Sequence, residues 1–249
     1  MKNLIFPLLI LFTLISCERI LKKGNNSGSK KKTEVSSDHI QIRKKYNDEG
    51  SVITEVPYRG NIKHGIAKHF YPNGKVSMEI PYVNNLKHGT SYYYYTDGNI
   101  YRTTPYVKGR INGFRKKYYR NGKLMAEIPY RNNEPVTGLK EYTKEGELLT
   151  QYPVLVFNKI NKIESENKVF LQAYFSDGSK NVEFYKKNIN ERNDTVRIPL
   201  VVKNGKVEME YYVPKGKYLK ERIEIVGIKE TRRRNPYVDE KIYYLKVRN

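Results

Sequence analysis

The sequence predicts an all-β protein: an elongated, single-layer antiparallel array of β-hairpins, followed by a small β-sandwich. Three observations predict it. Prolines stand at 57, 81, 105, 129 and 153, each 24 residues after the last. Glycines at 50, 74, 98, 122 and 146 keep the same interval, and an aromatic precedes each by four: Tyr46, Phe70, Tyr94, Tyr118 and Tyr142. From Pro153 onward the period is lost, and short alternating stretches separated by turn residues take its place. A fixed period of this size is the mark of stacked supersecondary units, and no helical periodicity competes with it.

The chain opens on a different kind of segment. Residues 1–16 combine Lys2 with an apolar run from Leu4 to Ile15, broken only by Pro7 and Thr13. A bilayer-spanning helix needs about 20 apolar residues, so this run reads as a secretion signal. It ends in Leu14-Ile15-Ser16-Cys17, which resembles the lipobox of bacterial lipoproteins. The resemblance implies that Cys17 carries acyl chains and begins the mature protein. Cys17 is the only cysteine, so no disulfide can form within the chain. Residues 17–37 are rich in Gly, Ser, Asn and Lys, which cannot build a core, and read as a flexible tether. Lys22, Lys23 and Lys30 to Lys32 lie close to the expected anchor, where each adds on the order of 1 kcal/mol of attraction to anionic lipid.

Residues 38–152 hold the repeats. Pro72-Asn73-Gly74, Thr96-Asp97-Gly98 and Arg120-Asn121-Gly122 read as two-residue hairpin turns, because Asn-Gly and Asp-Gly supply positive φ. The strand after the first should alternate, with Val76, Met78, Ile80 and Tyr82 on one face. The second turn of each unit holds Asn84-Asn85 or Lys108-Gly109. A second glycine series at 65, 89 and 113 slips by one to Gly138. Each proline lacks an N–H and should sit where its strand leaves the ladder. The series from Tyr82 to Gly89, then Tyr94, Gly98 and Ile100, resembles the MORN repeat in its bacterial variant form, over about residues 46–152. The resemblance implies a meander of stacked hairpins, each touching only its neighbours. The last unit departs from the pattern over Glu134–Gly138, which marks a junction.

Residues 153–249 contain seven candidate strands: Val154–Phe157, Val169–Phe175, Val182–Lys186, Val196–Val202, Val207–Val213, Tyr218–Ile228 and Ile242–Val247. Seven short strands predict a sandwich. Pro214–Tyr218 followed by Glu221–Ile225 resembles the end of an immunoglobulin-like domain.

The chemistry is that of a binding surface rather than an enzyme. Lys and Arg outnumber Asp and Glu by 47 to 26, a formal charge of +21 that favours polyanions. His39, His64, His69 and His88 form no metal-binding spacing; His64 and His88 occupy equivalent turns and read as solvated. Glu55, Glu79 and Glu127 form one column, read as outward residues facing lysines of a neighbouring strand. No catalytic residue, metal or cofactor is expected. Tyrosine is abundant, 23 residues with no tryptophan, and Tyr92 to Tyr95 cannot all be buried in one strand. Tyr71, Tyr93, Tyr95 and Tyr119, interleaved with Lys68, Arg115, Lys116 and Lys117, are the candidate ligand-binding set for a glycan or polyanion. Arg232-Arg233-Arg234 reads as a solvated basic loop.

These features predict a non-enzymatic binding or scaffolding protein of the cell envelope. It is lipid-anchored to a membrane, at the outer membrane or cell surface rather than the inner membrane. Its expected partners are an envelope protein or glycan and anionic lipid or polysaccharide, with no specific nucleic acid. The repeat resemblance also implies an alternative, an antitoxin- or immunity-like protein that neutralises a toxin. Polyanion or glycan binding at the envelope is a further alternative.

Overall fold

The computed structural model describes residues 39–192 and 194–249. The expected signal segment 1–16 and the expected tether 17–37, with Cys17 at its start, lie outside the described residues. Ser37–Asn249 group as one compact unit.

The repeat region forms one large antiparallel sheet. Its first strands are β1 (Ile40–Tyr46), β2 (Val52–Arg59), the two-residue β3 (Ile62–Lys63), β4 (Gly65–Phe70), β5 (Val76–Val83), β6 (Leu86–Lys87) and β7 (Gly89–Tyr94). The rest are β8 (Ile100–Val107), β9 (Arg110–Ile111), β10 (Gly113–Tyr118), β11 (Leu124–Arg131), β12 (Glu134–Pro135) and β13 (Lys140–Glu141). The order β1-β2-β4-β5-β7-β8-β10-β11 is a meander, as the period predicts.

Two turn types alternate, and their assignment differs from the sequence expectation. The two-residue turns with two positive φ angles are the second ones: Asn84 and Asn85 at 50° and 67°, Lys108 and Gly109 at 48° and 82°, Asn132 and Asn133 at 51° and 74°. The turn at Pro72-Asn73-Gly74 is longer. Gly74 N–H donates to Tyr71 O, and Tyr71 N–H donates back to Lys75 O. There only the glycine has positive φ, and the same turn recurs without proline at Thr96–Gly98 and Arg120–Gly122. In all three the side chain before the glycine (Asn73, Asp97, Asn121) accepts from the backbone N–H two residues on, which fixes the longer turn. The longer turn brings an extra residue with it. The register shifts so that Phe70 pairs with Val76 while His69 pairs with Met78. The bulge at Ser77 breaks the strict alternation expected from Val76 to Tyr82.

The glycine and proline columns explain one another. Gly65, Gly89, Gly113 and Gly138 hold φ between 100° and 110°, a region closed to other residues. A Cβ on them would lie 3.0, 3.3, 3.3 and 3.6 Å from the Cγ of Pro57, Pro81, Pro105 and Pro129. Each proline occupies a gap in its ladder: β2 pairs with β4 at Thr54 and Glu55, then with β3 from Tyr58. The missing N–H thus faces no ladder partner, while Pro57 O still accepts from His64 N–H at 3.0 Å.

The C-terminal region contains β14 (Leu155–Lys162), a one-turn helix α1 (Ile163–Glu166), β15 (Lys168–Phe175), β16 (Val182–Ile189), β17 (Thr195–Pro199), β18 (Lys206–Tyr212), β19 (Tyr218–Glu230) and β20 (Pro236–Arg248). All seven expected strands are present; the helical turn was not expected from the sequence. Its end is a left-handed Asn167, φ 53°, whose N–H closes on Ile163 O. The sheets are β14-β15-β18 and β17-β16-β19-β20. The pairing of β15 with β18, skipping two strands, is the Greek-key order of an immunoglobulin-type sandwich. Strand β15 alternates as predicted, with Val169, Leu171, Ala173 and Phe175 fully buried. They meet Phe184, Ile223, Ile225 and Leu245 of the other sheet, each burial contributing about 1.5–3 kcal/mol for the larger side chains. Gly227 lets the Phe175 and Phe184 rings approach β19, since a Cβ there would lie within 3.0 Å of both.

The repeat sheet and the sandwich meet through a polar knot. Buried Glu141 accepts from Thr231 Oγ1 at 2.7 Å, Asn235 Nδ2 at 2.5 Å and Tyr152 OH at 3.4 Å. Tyr152 also stacks on Tyr237, centroids 4.9 Å apart.

Candidate functional site

The eight ligand-binding residues expected from sequence divide between roles. Tyr71, Tyr95 and Tyr119 stitch neighbouring repeats: their hydroxyls donate to the carbonyls of Tyr94, Tyr118 and Tyr142 at 2.5, 2.8 and 2.7 Å. Lys68 and Lys116 pair across strands with Glu79 and Glu127, at 3.4 and 3.0 Å, and Lys44 does the same with Glu55 at 2.9 Å. The glutamate column therefore faces lysines, as the sequence suggested. Tyr94 OH also donates to Glu79 at 2.9 Å, and burial together with that carboxylate pushes its phenol up to about 12.

Tyr93, Arg115 and Lys117 behave differently. They lie on the face opposite Lys68, Lys116 and the glutamate column, and the register brings them together with three residues the sequence reading missed. Across strands, Tyr93 pairs with Arg102, Arg102 with Lys117, and Ser91 with Thr104. Continuing the β8–β10 register places Arg115 opposite Thr104. The Arg102 guanidinium sits 3.9 Å from the centroid of Tyr93, and Arg115 sits 4.5 Å from that of Tyr130, whose hydroxyl accepts its Nη1 at 2.9 Å. Ser91 and Thr104 beneath them are fully buried.

The cluster gathers positive charge that no salt bridge neutralises; Glu141 and Glu230 offset it only through space, acting on Lys117. Among the described residues, no carboxylate pairs with Arg102, Arg115 or Lys117. Glu141, the next acid along this row, is already held by Thr231 and Asn235. Lys117 donates instead to the carbonyl of Arg234 at 3.3 Å, tying the Arg232–Arg234 loop to the patch. Burial lowers the Lys117 ammonium from its ordinary range, and Arg102 and Arg115 lower it further, against the pull of Glu141 and Glu230. Burial and then Tyr93 push Tyr106 up, against the pull of the same two arginines.

Comparing the units with one another shows how unusual the patch is. At the place of Arg102, the other units carry Thr54, Met78 and Ala126. At the place of Thr104 they carry Val56, Ile80 and Ile128. At the place of Ser91 and Arg115 they carry Ala67 and Leu139, with Arg43 on the exposed edge strand. Where the other units mostly place an apolar residue, with Thr54 and the edge-strand Arg43 as exceptions, units three and four place hydroxyls and cations, and the register puts those departures side by side. That comparison of columns is the signal in the sequence that points to Arg102.

Three stretches of the chain, residues 63–84, 87–108 and 112–132, match the MORN repeat variant family. The basic patch falls on the second and third of these MORN repeats, so it is built on the repeat surface itself. No curated protein and no solved structure matches the chain. Among the described residues, no helix is long and apolar enough to cross a membrane, and no group of three potential ligands could hold a metal ion. His69 bonds to Thr54 Oγ1 at 3.3 Å rather than to another histidine.

Proposed function

We propose that this chain is a non-enzymatic binding protein of the cell envelope, anchored by acyl chains on Cys17, and that its MORN repeat sheet is the recognition surface. The observation that carries the binding role is the basic patch: Arg102, Arg115 and Lys117 lie together on one face without a carboxylate partner. Partly buried cations without a salt-bridge partner are costly to hold, and a surface that keeps them gains from an anionic partner. The anchoring half rests on the signal-like segment and its terminal Cys17. The formal charge of +21 favours an acidic or polyanionic partner over a neutral one.

Two experiments test the halves separately. Cells producing the chain and fed labelled palmitate should label the wild type and not Cys17→Ser; equal labelling would remove the anchor. Cross-linking of the full chain to envelope extracts should capture a partner that Lys117→Glu releases. Capture unaffected by that reversal would move the recognition surface elsewhere.

A further inference from the structure

We infer that the patch on β7, β8 and β10 is a discrete site for a dianionic tetrahedral oxyanion, a phosphate or sulfate group, held by Arg102, Arg115 and Lys117. The inference deepens the binding role proposed above and rests on it.

Its basis is a hydrogen-bonding deficit in one place. Among the described residues, six buried side-chain nitrogen or oxygen atoms lack any partner: His64 Nδ1, Ser91 Oγ, Arg102 Nε, Thr104 Oγ1, Arg115 Nε and Asn235 Oδ1. Four of the six belong to this cluster, and all four can donate a proton. Buried donors are almost always satisfied in folded proteins, because leaving one unpaired forfeits its hydration without return. Donors gathered with no acceptor call for an acceptor from outside. Ser91 and Thr104 are direct cross-strand partners, and Arg102 lies two residues from Thr104 on the same face. Directly opposed side chains in an antiparallel sheet start about 5 Å apart at Cβ. One small anion can therefore reach several of these groups once the Arg102 side chain swings off the buried hydroxyls.

Charge selects the class. Three cations match a dianion better than a carboxylate, and donors that come from three strands suit tetrahedrally arranged oxygens better than the two coplanar oxygens of a carboxylate. The Arg115 guanidinium face rests on Tyr130, which pre-orients its N–H edge and reduces the entropy lost on binding. A merely sticky basic surface would not explain Ser91 and Thr104, which add donors but no charge. The group could belong to a soluble phosphate ester or to a lipid headgroup; the chemistry recognised is the same.

The test is calorimetric titration of the full chain with inorganic phosphate, sulfate and acetate at one ionic strength. Saturable one-site binding of phosphate or sulfate is expected, with acetate weaker by about tenfold or more, the scale of one charge-assisted hydrogen bond. Arg102→Met installs the residue that Met78 provides in the preceding unit, and should weaken binding by about tenfold or more. Thr104→Val, matching Val56, keeps every charge and should still weaken binding severalfold. Circular dichroism checks that both variants fold. Glucose 6-phosphate and vesicles containing phosphatidic acid then distinguish the sources: binding of either that Arg102→Met abolishes supports the site, and the one that binds names the source. Acetate equal to phosphate, binding indifferent to both substitutions, or no binding at all would overturn the inference. In that last case the buried donors turn to water, while partner capture released by Lys117→Glu would still stand.

Discussion

Replacing Gly89 by alanine probes the contact that joins one repeat to the next. Two separate costs follow from the structure. The first is backbone strain, because φ is 100° and a side chain at that angle costs on the order of 1–3 kcal/mol. The second is contact, because the new Cβ would lie 3.3 Å from Pro81 Cγ. Forcing that ring aside adds about 1 kcal/mol, the low end of overpacking. Gly98 isolates the first cost: its φ is 101°, and nothing lies within 4 Å of the position its Cβ would take. Gly89→Ala should therefore destabilise by about 1 kcal/mol more than Gly98→Ala in urea denaturation. Pro81→Ala removes Cγ and leaves only Cβ, 3.8 Å away, an ordinary contact. In that background the extra cost at 89 should vanish, a coupling of about 1 kcal/mol. Across the column the contact penalty should rank Gly65 above Gly89 and Gly113, and those above Gly138, following distances of 3.0, 3.3, 3.3 and 3.6 Å. Equal effects at 89 and 98, additive with Pro81→Ala to within about 0.5 kcal/mol, would refute the reasoning.

Tyr95→Phe removes the bond to Tyr118 O at 2.8 Å and should cost about 1 kcal/mol, with hydrogen exchange rising first in the strands flanking that contact. The Lys116 hydrogen bond holds Glu127 below its ordinary 4.5. Its stabilisation is present above that value and is lost as pH falls through the lower folded value. Lys116→Gln should raise the Glu127 carboxyl in an NMR titration and flatten the acid limb of stability, by under about 1 kcal/mol for so exposed a pair. The Lys117 shift runs the other way for a base. Its charged form is disfavoured in the folded chain, so the cost is present at neutral pH and is relieved as pH rises between the folded value and 10.5. Arg102→Met, by removing one neighbouring cation, should raise the Lys117 value toward 10.5; an unchanged titration would dissolve the cluster.

Much of this architecture is legible in the chain because the repeats report on themselves. The proline column and the glycine series at 65, 89 and 113 share a period because each of those glycines lies against a proline ring, and Gly138, although shifted by one residue, keeps that contact with Pro129. The sandwich strands were legible because Val169 to Phe175 alternate without interruption. The longer turns were hidden because Asn-Gly or Asp-Gly alone does not specify loop length; the bond from Asn73, Asp97 and Asn121 to the N–H two residues on does, and it shows only in three dimensions. The hydroxyl bonds of Tyr71, Tyr95 and Tyr119 were hidden for another reason. They join residues 23 apart on neighbouring units, and aromatic spacing along one strand says nothing of a ring's tip. Arg102 is hidden in the linear chain because it stands apart from the runs of adjacent aromatics and bases. It stands out only when Thr54, Met78, Arg102 and Ala126 are read down their column, and its importance depends on the register that sets it beside Lys117 and Tyr93.

The most direct test follows the Nε–H resonances of Arg102 and Arg115 by NMR while inorganic phosphate is added. Both nitrogens are buried and lack a partner in the protein. The two signals should move together, saturate with one dissociation constant and become protected from solvent exchange. The exposed Arg131 should shift only linearly. Signals from Arg102 and Arg115 that stay in place, or that drift no differently from Arg131, would contradict the claim that the MORN repeat sheet carries a built anion site.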